Sequence, residues 1–258
     1  EQLRSRCQGS EAIVTAVKET EKKVKAPKLY DLTTLQREAN RIYGMTAKQT
    51  LDTAQSLYEK KLITYPRTDS QYLTEDMEQT ARNVVRQIYE KYQLTGPFDQ
   101  PEQPDVKKVM NNSKVTDHHA IIPTMELASC HLDELKSWEE KILFLIAVHT
   151  VMAMSKDHIY QETEIEVECQ EEIFKAKGKI VLQDGWKLFE NCFKNKDRMA
   201  IVDPDQEMKE RMPKVTQGQT FYAVDAEKTE HFTSPPKPYS DVIFCERKEW
   251  IGIEERSS

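Results

Sequence analysis

The chain has 258 residues, 31% of them charged and 38% hydrophobic, which suits a globular protein with one large core or two modest ones. It has no run of about 18 apolar residues to form a helical membrane span, and its first residues, Glu1-Gln2-Leu3-Arg4-Ser5-Arg6, lack the apolar centre of a signal peptide. The net charge of −7 excludes a uniformly basic nucleic-acid-binding surface.

The charge is uneven, however. Residues 1–30 hold seven Lys/Arg against four acids, whereas residues 161–172 hold six Glu and no base. Any path for a polyanion must therefore be local. The five cysteines (Cys7, Cys130, Cys169, Cys192, Cys245) are scattered and never form a CxxC pair. That argues against a zinc site or a disulfide framework and for a reducing cytoplasm. Position 1 is not Met, so the sequence reads as a piece of a longer or processed chain.

In chain order, residues 11–18 (EAIVTAVK) read as a strand and Lys22–Lys28 as a basic, Pro-containing linker. Thr33 and Gln36 have capping-box spacing ahead of the apolar stripe Leu35, Ala39 and Ile42, and Gly44 can end that helix. Thr46 and Gln49 repeat the spacing and open a helix to about Leu62. Ile63–Pro66 reads as extended, because a proline disfavours helix at the residue before it. Thr74 then caps a helix through Met77, Ala81, Val84, Val85, Ile88 and Tyr92.

Residues 95–113 are loop-like, residues 117–124 (DHHAIIPT) form a compact irregular segment, and a helix runs from Ser137 or slightly earlier to Met154, with Ser137 and Glu140 at capping-box spacing. The period then changes to two. Ile159, Gln161, Thr163, Ile165, Val167 and Cys169 share one side of a strand, and Glu162, Glu164, Glu166 and Glu168 the other. Further strands are expected near 172–183, 198–202 and 219–225. The order is strand, helical block, β block. A helical domain inserted into a β domain accounts for it in an α+β fold.

The sharpest local feature is Ile63-Thr64-Tyr65-Pro66-Arg67-Thr68-Asp69-Ser70. A phenol is a weak nucleophile until a base or a positive charge helps it. Arg67, two residues on in an extended stretch, can face the same side as Tyr65. A guanidinium is planar, permanently charged and able to grip a phosphate with two hydrogen bonds. Tyr plus Arg thus suits attack on phosphorus. On chemistry alone, a surface turn with a half-buried Tyr and a solvated Arg fits the same residues.

The segment Leu57–Leu73 (LYEKKLITYPRTDSQYL) resembles the active-site segment of type IA DNA topoisomerases, especially the bacterial topoisomerase III branch. Leu29–Gln55 is similar to the family's lead-in helices and Asp117–Thr124 to its histidine segment, and the resemblance covers about residues 9–238. It implies that Tyr65 attacks one DNA strand to give a 5′-phosphotyrosine, that Arg67 holds the scissile phosphate, and that His118 organises the phosphate or nearby backbone. A structural histidine bonded to backbone is the other reading of His118, and His119 sits where the family varies. Thr68, Asp69 and Ser70 would orient the loop or touch DNA. Read instead as a winged-helix-like DNA binder without catalysis, the helical block would meet phosphates through Arg37, Arg41, Lys60, Lys61 and Arg67.

The resemblance also implies a winged-helix-like, tyrosine-bearing helical domain at 29–154. It is inserted into a β-rich arch at 1–28 and 155–235, with 236–258 as the start of a next domain or a non-native tail. Flexing of the arch would open the gap in the DNA. A tyrosyl ester keeps the phosphodiester energy, so religation needs no ATP, which agrees with a chain that has no GxxxxGK[ST] loop. The family's toprim domain, whose DxDxxG signature holds Mg²⁺, is absent from the residues before Tyr65. Asp203-Pro204-Asp205 has DxD spacing but lies downstream and lacks the following Gly.

The expectations are therefore an isomerase acting on single-stranded regions of DNA, with no cofactor in this chain and Mg²⁺ bound only in the parent enzyme. The partners are DNA and the missing domains of the same polypeptide, not a membrane or a small-molecule substrate. The isolated chain is expected to be inactive. The alternatives are a non-catalytic single-stranded DNA-binding module, or an interaction protein without DNA affinity. Tyrosine recombinases need several spread Arg/His partners, and tyrosine phosphatases need a Cys-x₅-Arg loop, which none of the five cysteines provides.

Overall fold

A computed structural model describes residues 2–94, 104–190, 214–222, 224–230 and 232–233. The chain is a mixed helical and antiparallel-sheet protein that divides into two compact units. The strand expected near 198–202, the Asp203–Asp205 pair and the tail after 235 lie outside the described residues.

The first unit takes in the chain up to Val24, Asp157–Asp184 and the described residues after 213. It holds a short helix α1 (Gln2–Cys7) and strands β1 (Ala12–Val24), β2 (His158–Cys169), β3 (Glu172–Gln183) and β4 (Thr220–Phe221), in the sheet order β3-β2-β1-β4. Alternation makes β2 a half-buried strand as expected, with Thr163, Ile165 and Cys169 buried. The row of glutamates on its other side is answered by lysines. Glu166 pairs with Lys175 at 2.6 Å, and Glu164 pairs with Lys177, both in register across β2 and β3. That Lys177 hydrogen bond holds the Glu164 carboxyl below its ordinary range.

β1 is longer than the sequence pattern indicated. Lys22 and Lys23 lie within the ladder opposite Tyr160 and Ile159, and Lys23 reaches Asp157 at 3.2 Å. The expected linker is thus confined to the residues after Val24. Cross-strand pairing, not β propensity, carries the strand through these lysines. Val24 lies opposite His158, so the chain leaves this sheet and returns to it at register partners.

The second unit takes in Lys25–Lys156 and the described residues from Gly185. It is built from α2 (Leu32–Tyr43), α3 (Ala47–Glu59), α4 (Glu78–Tyr92), α5 (Ser137–Ala153) and the single turn α6 (Lys187–Glu190). α5 is apolar nearly all round, with Ile142–Val148 and Thr150–Ala153 buried, and it is the centre against which α2, α3 and α4 pack. The Thr150 hydroxyl donates to the Ile146 carbonyl at 2.8 Å, so the one polar side chain in that run is satisfied.

The caps explain where the helices stop. Thr46 and Gln49 form the expected box, and Gly44 closes α2 with φ 68°. Two other caps differ from the reading by spacing. α2 starts from Asp31, whose carboxylate accepts from the Thr34 N–H at 2.7 Å, not from Thr33. α5 starts from Lys136, whose N–H donates to Glu139 at 3.0 Å, not from a Ser137–Glu140 box. Thr74 is extended and makes no side-chain cap, and a 3₁₀ turn at Glu75–Met77 precedes α4. α3 ends at Glu59, short of the expected Leu62. Lys61 takes a left-handed φ of 60°, and the Leu62 N–H returns to the Leu57 carbonyl at 2.9 Å. That reversal sends the chain into the Tyr65 segment.

Candidate phosphate-ester site around Tyr65

The Tyr65 segment is pinned at both ends by short pairings. Ile63 bridges Pro123, and Leu73 bridges Met110. Thr64 does the finest positioning. Its N–H donates to the Ile122 carbonyl at 3.0 Å, its hydroxyl donates to the Ala120 carbonyl at 3.0 Å, and the same hydroxyl accepts from the Ile122 N–H at 3.0 Å. Thr124 closes the start by donating its N–H to the Leu62 carbonyl at 3.0 Å and its hydroxyl to the Lys61 carbonyl. A loop held by this many main-chain bonds presents its side chains in fixed directions.

Those directions alternate. Pro66, Thr68 and Ser70 are buried, whereas Tyr65 is half-buried and Arg67 and Asp69 are exposed. Residues 65, 67 and 69 therefore share the outer side of an extended stretch. The Thr68 hydroxyl donates to the His118 carbonyl at 3.0 Å and accepts from the Ser70 N–H at 3.1 Å. The Ser70 hydroxyl donates to the Lys114 carbonyl at 2.8 Å. Thr68 at 6% exposure and Ser70 at 4% thus shape the loop from inside. Their hydroxyls are already engaged, which removes them from the set of groups facing a strand.

The Tyr65 ring is bracketed. His118 lies against it with centroids 4.3 Å apart and planes tilted by 43°, and Tyr58 from α3 meets it edge-on at 5.4 Å. Tyr58 belongs to the motif segment and to the apolar positions of the helix before it, but that spacing gave it no part in the site. It reaches the site because α3 reverses at Lys61. The contact with His118 is ring against ring. Among the described residues the Tyr65 phenol oxygen has no hydrogen-bond partner, and the exposed Arg67 guanidinium and Asp69 carboxylate have none either. His119 points elsewhere, its Nδ1–H donating to the Ala120 carbonyl at 2.9 Å.

The remaining basic candidates are placed differently. Lys60 is bound to Glu139, with Nζ 2.6 Å from a carboxylate that is itself 3% exposed. Burial works to raise the Glu139 carboxyl, but hydrogen bonds from Lys60, Ser56 and the Lys136 N–H outweigh it and lower it to about 2. Lys60 is therefore neutralised locally. Arg41 is likewise held by Glu38 at 2.6 Å, and Arg37 lies half-buried on α2. Among the described residues no three His, Cys, Asp or Glu side chains gather as a metal ion requires.

Three comparisons bear on this geometry. Residues 1–246 match the family model described as DNA topoisomerase. DNA topoisomerase 3 of Bacillus licheniformis is 36% identical over 249 residues, which are 93% of this chain and 32% of that protein. DNA topoisomerase 3 of Bacillus subtilis is 37% identical over 239 residues, 91% of this chain and again 32% of that protein. Full-length topoisomerase I from Thermotoga maritima shares the fold, with a TM-score of 0.67 at 24% identity over 98% of this chain and 40% of that one.

A helical and antiparallel-sheet chain with this polar tyrosine segment belongs to the DNA topoisomerase family. Within it, the curated relatives named above are bacterial proteins called DNA topoisomerase 3, and the chain spans about a third of their length.

Proposed function

We propose that this chain is the tyrosine-bearing part of a type IA topoisomerase of the topoisomerase III branch, with Tyr65 as the nucleophile. The Tyr65 oxygen attacks the phosphorus of one DNA strand. A phenol-oxygen-to-phosphorus bond forms, the bond from phosphorus to the 3′-oxygen breaks, the phenol proton departs and the 3′-oxygen takes one up. The product is a 5′-phosphotyrosine and a free 3′-hydroxyl. Because the ester keeps the energy of the broken bond, the parent enzyme passes a strand and religates without ATP.

The observation that carries this reading is the outer side of the 65–69 stretch. A phenol and a guanidinium without hydrogen-bond partners among the described residues stand there two residues apart, in a loop fixed by Thr64, Thr68 and Ser70. Arg67 holds the scissile phosphate and offsets the charge that grows on its oxygens. His118 orients the phenol ring and faces the same phosphate. The helical unit acts as the tyrosine domain, inserted into an arch formed by the sheet unit. The parent's Mg²⁺ is held by residues beyond this chain, and the reaction takes place on single-stranded regions in the cytoplasm.

The test is covalent capture. The full-length protein containing this chain is mixed with labelled single-stranded DNA and quenched in denaturant. The unaltered protein yields a protein–DNA adduct and Tyr65→Phe yields none. An adduct formed by the Phe variant would remove Tyr65 from its role.

A further inference from the structure

The tyrosine loop ends in a second aromatic group. Tyr72 is half-buried, and its ring carries two ammonium groups: Lys28 Nζ is 5.5 Å from the centroid and Lys114 Nζ 5.7 Å. Both lysines are exposed. Neither has an acidic partner among the described residues. This sets them apart from Lys48, Lys60, Lys175 and Lys177, each of which pairs with a carboxylate. An aromatic face attracts one cation readily. Two beside one ring concentrate positive charge that no carboxylate among the described residues offsets, and an anion relieves it.

The backbone around the pair is pinned. The Ser70 hydroxyl, inside the loop, donates to the Lys114 carbonyl at 2.8 Å and accepts from the Tyr72 N–H at 3.2 Å. The Tyr72 carbonyl accepts from the Ala120 N–H at 2.9 Å. The Lys28 carbonyl accepts from His149 Nε2–H at 2.7 Å, and that imidazole stacks on Tyr30 with centroids 3.7 Å apart. Residues 28, 72 and 114 are thus fixed at their main chains, and only the long lysine arms remain free to move. A rigid frame with two mobile cations suits an extended polyanion better than a small ligand of fixed shape.

We infer that Lys28, Tyr72 and Lys114 form a seat for phosphodiester groups of a single DNA strand running beside the Tyr65 loop. The inference rests on the DNA reading above and adds to it where the strand is held away from the reacting phosphate. The lysines grip the phosphates, and the Tyr72 ring keeps the two ammonium groups together. Since Ser70 ties this seat to Thr68, and Thr68 to the His118 carbonyl, a strand gripped here is referenced to the same loop that carries Tyr65.

The experiment is fluorescence anisotropy with the 258-residue chain and a short labelled oligothymidylate, titrated across a range of salt. Lys28→Gln with Lys114→Gln is expected to weaken binding about tenfold at low salt and to lower the slope of log Kd against log salt by about 1.4, roughly 0.7 for each lost phosphate contact. Tyr72→Phe keeps the ring and binds as the unaltered chain does, while Tyr72→Leu weakens binding about threefold. Lys48→Gln with Lys91→Gln removes the same charge at lysines that have partners of their own, and leaves the slope unchanged. If the unaltered chain binds and the Lys28/Lys114 variant matches it in affinity and slope, the seat is overturned while the DNA reading stands. Equal loss in the Lys48/Lys91 control also overturns the seat, reducing it to general charge. If the unaltered chain fails to bind single-stranded DNA even at low salt, the seat and the DNA reading of this chain fall together.

Discussion

The His118 imidazole lies against the Tyr65 phenol with ring centroids 4.3 Å apart, while the His118 carbonyl is held by the Thr68 hydroxyl at 3.0 Å. The two ends of the histidine are thus treated separately: its main chain fixes the loop and its ring touches the Tyr65 phenol. If the ring steers the phenol and faces the phosphate, His118→Ala should slow adduct formation by the full-length protein by about 10²-fold, the scale of losing one oriented group at a reacting centre. Thermal stability should hardly move, because the ring is exposed. His118→Gln, which keeps a polar donor in place, should recover part of the rate. An unchanged rate in the Ala variant would assign His118 to the backbone alone.

Thr68 offers a contrast between shape and chemistry. Its hydroxyl bonds the His118 carbonyl and the Ser70 N–H at once. Thr68→Val keeps the volume and leaves both groups without that partner, so it should cost about 1–3 kcal/mol in urea unfolding. Thr68→Ser should cost less than about 1 kcal/mol, since only a methyl group is lost. Equal behaviour of Val and Thr at this site would show that the buried hydroxyl does not hold the loop.

Glu139 ties the end of α3 to the start of α5 through Ser56, Lys60 and the Lys136 N–H. Its carboxyl is lowered to about 2 in the folded chain, below the ordinary value near 4.5. A depressed carboxylate binds protons more readily when unfolded, so its stabilisation is complete above about pH 4.5 and is lost as pH falls towards about 2. Glu139→Gln should reduce stability at neutral pH and flatten its decline between those two pH values, as measured by denaturant midpoints. A Gln variant with an unaltered acid limb would mean that Glu139 does not set it.

How much of this was legible in the sequence depends on the range of the interaction. The Thr46–Gln49 box, the Gly44 stop and the alternation along 158–169 are local, and the chain forms them as read. The caps at Asp31 and Lys136 were displaced by two residues and one, because several neighbouring polar side chains have admissible spacing and packing chooses among them. β1 runs through Lys22 and Lys23 because β2 is there to pair with, a fact that no window of β1 contains. At the site, the outward alternation of Tyr65, Arg67 and Asp69 could be read from one extended stretch. The grouping of Lys28, Tyr72 and Lys114 could not, because each comes from a different part of the chain and only tertiary structure brings them to one ring. Lys60 shows the opposite case. It reads as a free cation until Glu139 arrives from α5.

His149 provides an independent acid-sensitive element in the same unit. Its Nε2 bonds the Lys28 carbonyl, which can only accept, so the imidazole carries a proton on Nε2. Burial pushes its pKa down to about 4, against the upward pull of the Lys28 carbonyl and Glu38. A histidine depressed in the fold takes up a proton more readily when unfolded, so stability is full above about pH 6.5 and declines as pH falls towards about 4. At about 1.36 kcal/mol for each tenfold change in proton affinity, the loss is at most about 3–4 kcal/mol. His149→Phe keeps a ring against Tyr30 but gives up the bond to Lys28. It should be less stable than the unaltered chain by about 1 kcal/mol at pH 7.5, and the gap should close or reverse near pH 4. A gap that stays constant across this range, read from urea midpoints, would show that His149 is not the group titrating there.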